Sequence, residues 1–352
     1  MSENAKTTRD TVAFFAHQRS GCWMYRIEHV MKGLEKAGVK TVLFDMNTDI
    51  EEGVYDRIMS VQLYGAYPFS FEPVLKQFKA NGVKIVYDMD DALELVEPTN
   101  PFYHSVMKDV GSVDQILAYA DEVTVSTPQM AEFVKGKYSG KITVVPNCYL
   151  PSEWTYPRPQ RDGIRIGFAG ASPHVSDLIE IIPTIKKLQD KYNVKFLIMG
   201  FGQSDYTTWY KQYRYIAQPE ATKELRKLDA LLSEIVFEWI PFVDYTLYPQ
   251  VLTNMALDIG ICPLKSTPFN NHRSAVKALE YTMSGALALA SDTIPYREDD
   301  NSIKVTDWET AIEEVIADGI YRDNKRIDHL EWTQKNRNLE DKLDLLKSVY
   351  VV

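Results

Sequence analysis

At 352 residues, 45% of them hydrophobic and 25% charged, the chain is longer than one hydrophobic core sustains and has the balance of an ordinary folded protein, so two domains are expected and disorder is excluded. A net charge of −10, spread along the chain, argues against affinity that comes mainly from neutralising a nucleic-acid backbone and fits plain solubility.

The polar start MSENAKTTRD lacks the charged-then-apolar pattern of a secretory signal. No apolar run approaches the roughly 20 residues of a membrane span, so a cytoplasmic protein without a transmembrane segment is expected. Cys22, Cys148 and Cys262 are widely spaced and form no C-x-x-C pair, which suggests neither a disulfide framework nor a zinc site.

In chain order, TVAFFA reads as a strand, followed by HQRSGCWMYRI, a turn that opens a helix from Trp23. In that turn Gly21 lets a phosphate or sugar approach the backbone closely, with Arg19 or Arg26 in reach; ordinary turn chemistry explains the glycine equally well. TVLF, a helix from Phe71, VKIVYD, a helix near Gly111, EVTV, a helix from Pro128 and ITVV come next. Such alternation means a parallel sheet with helices on both faces, and buried parallel strands carry continuous Val/Ile/Phe runs. At the end of VKIVYD and just past it lie Asp88, Asp90 and Asp91, with His104 further along the loop. These are the candidate catalytic residues: clustered carboxylates can hold a divalent metal, orient hydroxyls, brace a loop or act as base.

YLPSEWTYPRPQRDG has neither period and reads as a linker. The alternation then restarts with IRIGFA, a helix from Asp177, VKFLIMG, a polar helix over Pro219 to Ser233, IVFEWI, a helix from Tyr245, LDIGICPL, a helix from Ser274, ALALAS and SIKVT. Two doubly wound domains, residues 1–155 and 156–326, would leave a cleft at the carboxyl ends of their strands, where ligands bind. The aromatic stretch 201–218 reads as an insertion, either a lid or a loop packing its own rings. The tail from Ile327 is helical, with Leu339, Leu343 and Leu346 at helical spacing, and is expected to pack across the domains.

The most informative stretch is LDIGICPLKSTPFNNHRSAVKALEYTMSGALALASD. On a helical repeat Arg273, Lys277, Glu280 and Ser284 share one face. Free N–H groups, the helix dipole and two cations converge there on any anion, as a nucleoside diphosphate requires, and would stabilise its departure. Glu280 is spaced to accept hydrogen bonds from a ribose diol. The same stripe also describes a helix with a solvated charged face.

F-N-x-x-R-S-x-x-K-x-x-E-Y, from Phe269 to Tyr281, followed by SGALALAS, resembles the donor-site signature of glycosyltransferase family four and related phage and bacterial sugar transferases. VSTPQMAE, VVPNCYLP and FEWIPFVDYTLYPQVL resemble other segments of that family, so the resemblance covers most of the chain. It implies an α/β protein of two Rossmann-like doubly wound domains facing across a cleft, the GT-B fold. It further implies a retaining, metal-independent hexosyltransferase whose co-substrate is a nucleotide-sugar, with no other cofactor. The acceptor would bear a hydroxyl, on a saccharide or on a modified DNA base.

By that resemblance Glu280 holds the ribose, and Arg273, Ser274 and Lys277 neutralise the diphosphate, with Asn270 alongside. The Gly21 loop and the aspartate loop shape the acceptor side. Two departures stand out. His272 occupies a position where many members carry a glutamate, and GFAGASPHVSD lacks the Arg and Lys that many place after that strand, leaving Gly170, Ser172 and a helix N-terminus as neutral donors. These departures motivate a further reading, a non-catalytic nucleotide-sugar-binding protein.

Overall fold

The computed structural model describes residues 9–16, 22–44, 52–67, 70–201, 207–208, 210–211 and 219–352. The apolar runs form two six-stranded, wholly parallel sheets. The first contains β1 (Thr11–Ala16), β2 (Lys40–Phe44), β3 (Ile58–Tyr64), β4 (Lys84–Met89), β5 (Glu122–Val125) and β6 (Lys141–Val144), in the order β2-β1-β3-β4-β5-β6. The second contains β7 (Ile164–Ala169), β8 (Val194–Met199), β9 (Phe237–Ile240), β10 (Ile259–Cys262), β11 (Leu287–Ser291) and β12 (Ile303–Val305), in the order β12-β11-β10-β7-β8-β9. In the first sheet the winding reverses between β1 and β3, in the second between β7 and β10; ligands bind at such reversals, beyond the carboxyl ends of the strands.

The sequence reading omits β3, whose seven residues are all buried in the middle of the first sheet. Ser60 and Gln62 interrupt its apolar pattern. Much of their hydrogen bonding comes from the far end of the chain: Ser60 Oγ donates to the Tyr350 carbonyl at 2.7 Å, and Gln62 Oε1 accepts from the Tyr350 hydroxyl at 2.6 Å, while Gln62 Nε2 donates to the Arg26 carbonyl at 2.9 Å.

The backbone crosses between the sheets near Tyr149 and returns near Asn338. The crossings are tied together, Tyr149 N–H donating to the Arg337 carbonyl at 2.9 Å and Leu339 N–H to the Tyr149 carbonyl at 3.0 Å. The last helix, Leu343–Tyr350, then inserts Leu346, Val349 and Tyr350 into the core beside Val12, Phe14 and Leu34. No helix among the described residues is long and apolar enough to cross a membrane.

In β10 the ring of Tyr281 lies across Gly260, and its hydroxyl accepts the Ala169 N–H at 2.6 Å. A Cβ at Gly260 would fall on that ring. Gly260→Ala is therefore expected to cost about 1–3 kcal/mol through overpacking, measured as a lower urea midpoint with an unchanged slope.

Candidate functional site

A cavity of about 690 Å³ opens between the two sheets, within the size range of small-molecule sites. Tyr64 and Met89 at the ends of β3 and β4 line it from one side, and Ala169 and Met199 at the ends of β7 and β8 from the other. Both winding reversals thus face one space.

Arg273, Lys277 and Glu280 all line this cavity, but not as one helical stripe. The helix begins later than the sequence suggests, at Val276–Met283, and Arg273 has extended backbone after a single turn over Asn270–His272. Ser284 is buried and bonds the Tyr281 carbonyl.

Lys277 Nζ donates to the Ala169 carbonyl at 2.8 Å and lies over the Phe168 ring. Burial, reinforced by Arg273, pushes Lys277 below its ordinary range. Space around it is tight: a Cβ at Gly170 would come within 3.0 Å of Nζ, and one at Gly200, whose φ is +103°, within 2.7 Å of the Gly170 carbonyl oxygen. The loops after β7 and β8 therefore meet backbone to backbone, an approach only glycine allows.

The Arg273 guanidinium stacks on Phe269, lies 3.5 Å from an Asp91 oxygen and places Nη1 3.1 Å from His174 Nε2. A guanidinium only donates, so His174 Nε2 accepts and Nδ1 carries the proton, directed at Asp177 Oδ2 at 2.8 Å. Burial, with Lys277 and Arg273 adding, pushes His174 well below its usual pKa and keeps it neutral. Asp177, pushed up to about 6 by burial, also accepts the Lys265 N–H at 2.8 Å. The GASPHVSD loop, read from sequence as lacking cations, thus holds a dyad that grips Arg273.

Glu280 is shared between the halves of the molecule. Its Oε1 accepts from Tyr25 and its Oε2 from Tyr248, both at 2.9 Å. Burial raises its pKa against the pull of Lys277 and the two hydroxyls. Neither tyrosine was singled out from sequence. Tyr25 reaches the site from a π-helical turn, Met24–Glu28, the kind of irregularity that often occurs at functional sites.

The other expected residues are dispersed. Asp90 lines the cavity, accepts from Tyr64 at 3.1 Å and is pushed up to about 7, by burial first and Asp91 second. Asp88 does not reach the cavity: it forms a two-point ion pair with Arg26 inside the first domain, which takes both from their expected places at the reaction centre and the phosphate loop. His104 is exposed on the helix Tyr103–Asp109 and is not a lining residue. Ser172 is buried behind the lining. Asn270 braces its own loop through the Lys265 carbonyl, and His272 packs on Phe133 at the seam between the halves. Ser274 Oγ accepts from Asn147 at 2.8 Å across that seam. Arg19 and Gly21 lie outside the described residues, as does most of the 201–218 insertion. Among the described residues no group of three or more His, Cys, Asp or Glu is arranged to hold a metal ion.

No protein-family model matches the chain, and no curated protein matches it in sequence. Solved structures do match it. Sucrose-phosphate synthase from Thermosynechococcus elongatus superposes with a TM-score of 0.66 at 14% identity, covering 97% of this chain and 98% of that one. Anabaena HepE in complex with UDP-glucose gives 0.64 at 13% identity, covering 96% and 98%. An α-glucosyltransferase in complex with UDP gives 0.62 at 10% identity, covering 96% and 99%. At such identities the likeness is one of fold: two Rossmann-like doubly wound domains facing across a cleft, the GT-B architecture.

Proposed function

We propose that the chain is a glycosyltransferase that moves a sugar from a nucleoside-diphosphate sugar to an acceptor hydroxyl, with retention and without a metal. The observation that carries this reading is the convergence of Arg273, Lys277 and Glu280 on one cavity at the β7/β10 reversal. The GT-B likeness, and the UDP and UDP-glucose in two of the similar structures, support it and favour a uridine nucleotide.

In this reading residues 156–326 hold the donor and residues 1–155 the acceptor. Glu280 takes the ribose hydroxyls as its tyrosine partners yield or join them. Two cations compressed in a half-buried space favour a diphosphate between them, and they favour it more as the bond from the anomeric carbon breaks and charge builds on the leaving oxygen. The anomeric carbon then bonds the acceptor oxygen, whose proton passes to the departing diphosphate oxygen.

A thermal-shift panel of UDP-, GDP-, ADP- and TDP-sugars tests the reading. One donor at a hundred times its Kd should stabilise the chain by about 2.7 kcal/mol, and Glu280→Ala should remove that response. An unchanged shift in the variant overturns the site assignment. Slow hydrolysis of the bound donor separates a transferase from a module that only binds.

A further inference from the structure

The two sides of the cavity differ in chemistry. Every lysine or arginine among its described lining residues, Arg273 and Lys277, comes from the C-terminal half. On the N-terminal side the wall includes Tyr87, Met89, Leu93, Val96, Phe102 and Val106, with Asn100 and Ser105 as neutral polar members. Its charged lining groups are carboxylates, Asp90, Asp91 and Asp109. Among the described residues a cation behind that wall, Arg26, is spent on Asp88, the Val145 carbonyl and Asn147.

A phosphorylated acceptor would have to shed its hydration against an apolar wall while facing those carboxylates. A compound with an apolar body gains from the same wall, at about 25 cal/mol per Å² covered.

We propose that the acceptor is an uncharged hydroxyl compound with an apolar, ring-bearing body, lying on the Met89, Leu93 and Val106 wall, and neither a sugar phosphate nor a nucleic acid. This rests on the transferase reading and names the substrate class for the second half of its site.

The test measures binding, because turnover would need the true acceptor in hand. The protein is saturated with whichever of UDP, GDP, ADP and TDP stabilises it most, then titrated calorimetrically with 4-nitrophenyl β-glucoside and, separately, with the 6-phosphate of the same compound. The neutral probe is expected to bind at least tenfold more tightly than its phosphate. Val106→Asp should weaken the neutral probe at least tenfold, and by more than it weakens the nucleotide. Equal or tighter binding of the phosphate, no binding of the neutral probe, indifference to Val106→Asp, or competition by a short DNA duplex would each overturn the proposal. If no nucleoside diphosphate binds, the transferase reading itself fails, a result distinct from any of these.

Discussion

Asp88→Ala is expected to destabilise the protein by about 3–5 kcal/mol, because it strands a buried cation. Arg26 is 1% exposed and Asp88 fully buried. Arg26 Nε and Nη2 donate to the two carboxylate oxygens at 2.9 and 2.5 Å, Thr124 donates to the same carboxylate at 2.6 Å, and Nη1 is held by the Val145 carbonyl and Asn147. The pairing outweighs burial and holds the guanidinium pKa above its ordinary value. Without Asp88 only neutral acceptors remain. Replacing both partners by apolar residues, Arg26→Met with Asp88→Leu, should recover most of the loss, since removing two paired charges leaves neither stranded. Urea unfolding of the two single variants and the double variant closes the cycle. A loss under 1 kcal/mol for Asp88→Ala would show that water reaches the guanidinium and that the pair is not what orders this core. The consequence extends to the cleft, because Asn147 accepts from Arg26 on one side and donates to Ser274 across the seam on the other.

That pair also shows where the sequence stops being informative. Buried parallel strands are legible because burial on both faces favours apolar runs, and eleven of the twelve strands among the described residues coincide with runs that the sequence shows. The exception, β3, has polar residues answered by Tyr350, nearly the whole chain away, which no local pattern can announce. Asp88, Asp90 and Asp91 look alike in a row. Only the partner of Asp88, 62 positions earlier, separates a structural carboxylate from the two that line the cavity. Lys277 and Glu280 were readable because three residues apart on a helix means one face. Arg273 lines the same cavity from extended backbone, so helical spacing is not what places it there. His174 and Asp177 were visible as an i, i+3 pair, yet the loop was judged by the cations it lacks rather than by a neutral imidazole able to hold a cation from elsewhere.

On the proposed transferase function, the largest loss of activity is expected at Lys277. Removing one group that stabilises charge developing in a transition state typically costs about 10²–10³ in rate, and Lys277→Ala should sit in that range for kcat/KM of the donor. Its ammonium is directed by the Ala169 carbonyl and confined by Gly170, so the bulkier fork of Lys277→Arg should not rescue it. Arg273→Ala should fall nearby. His174→Ala acts differently, because it leaves the guanidinium in place but frees it from one of the contacts that fix its direction, and misplacement of this kind can cost up to ~10²-fold. The kcat-against-KM split separates these roles. A contact that strengthens as the diphosphate departs lowers kcat, whereas uniform grip on the ground-state donor raises KM alone. If Lys277→Ala turns over donor within tenfold of wild type, with kcat untouched, the cations only moor the nucleotide and the barrier is lowered elsewhere. Asp90, the buried carboxylate facing the same cavity, would then be the next group to replace.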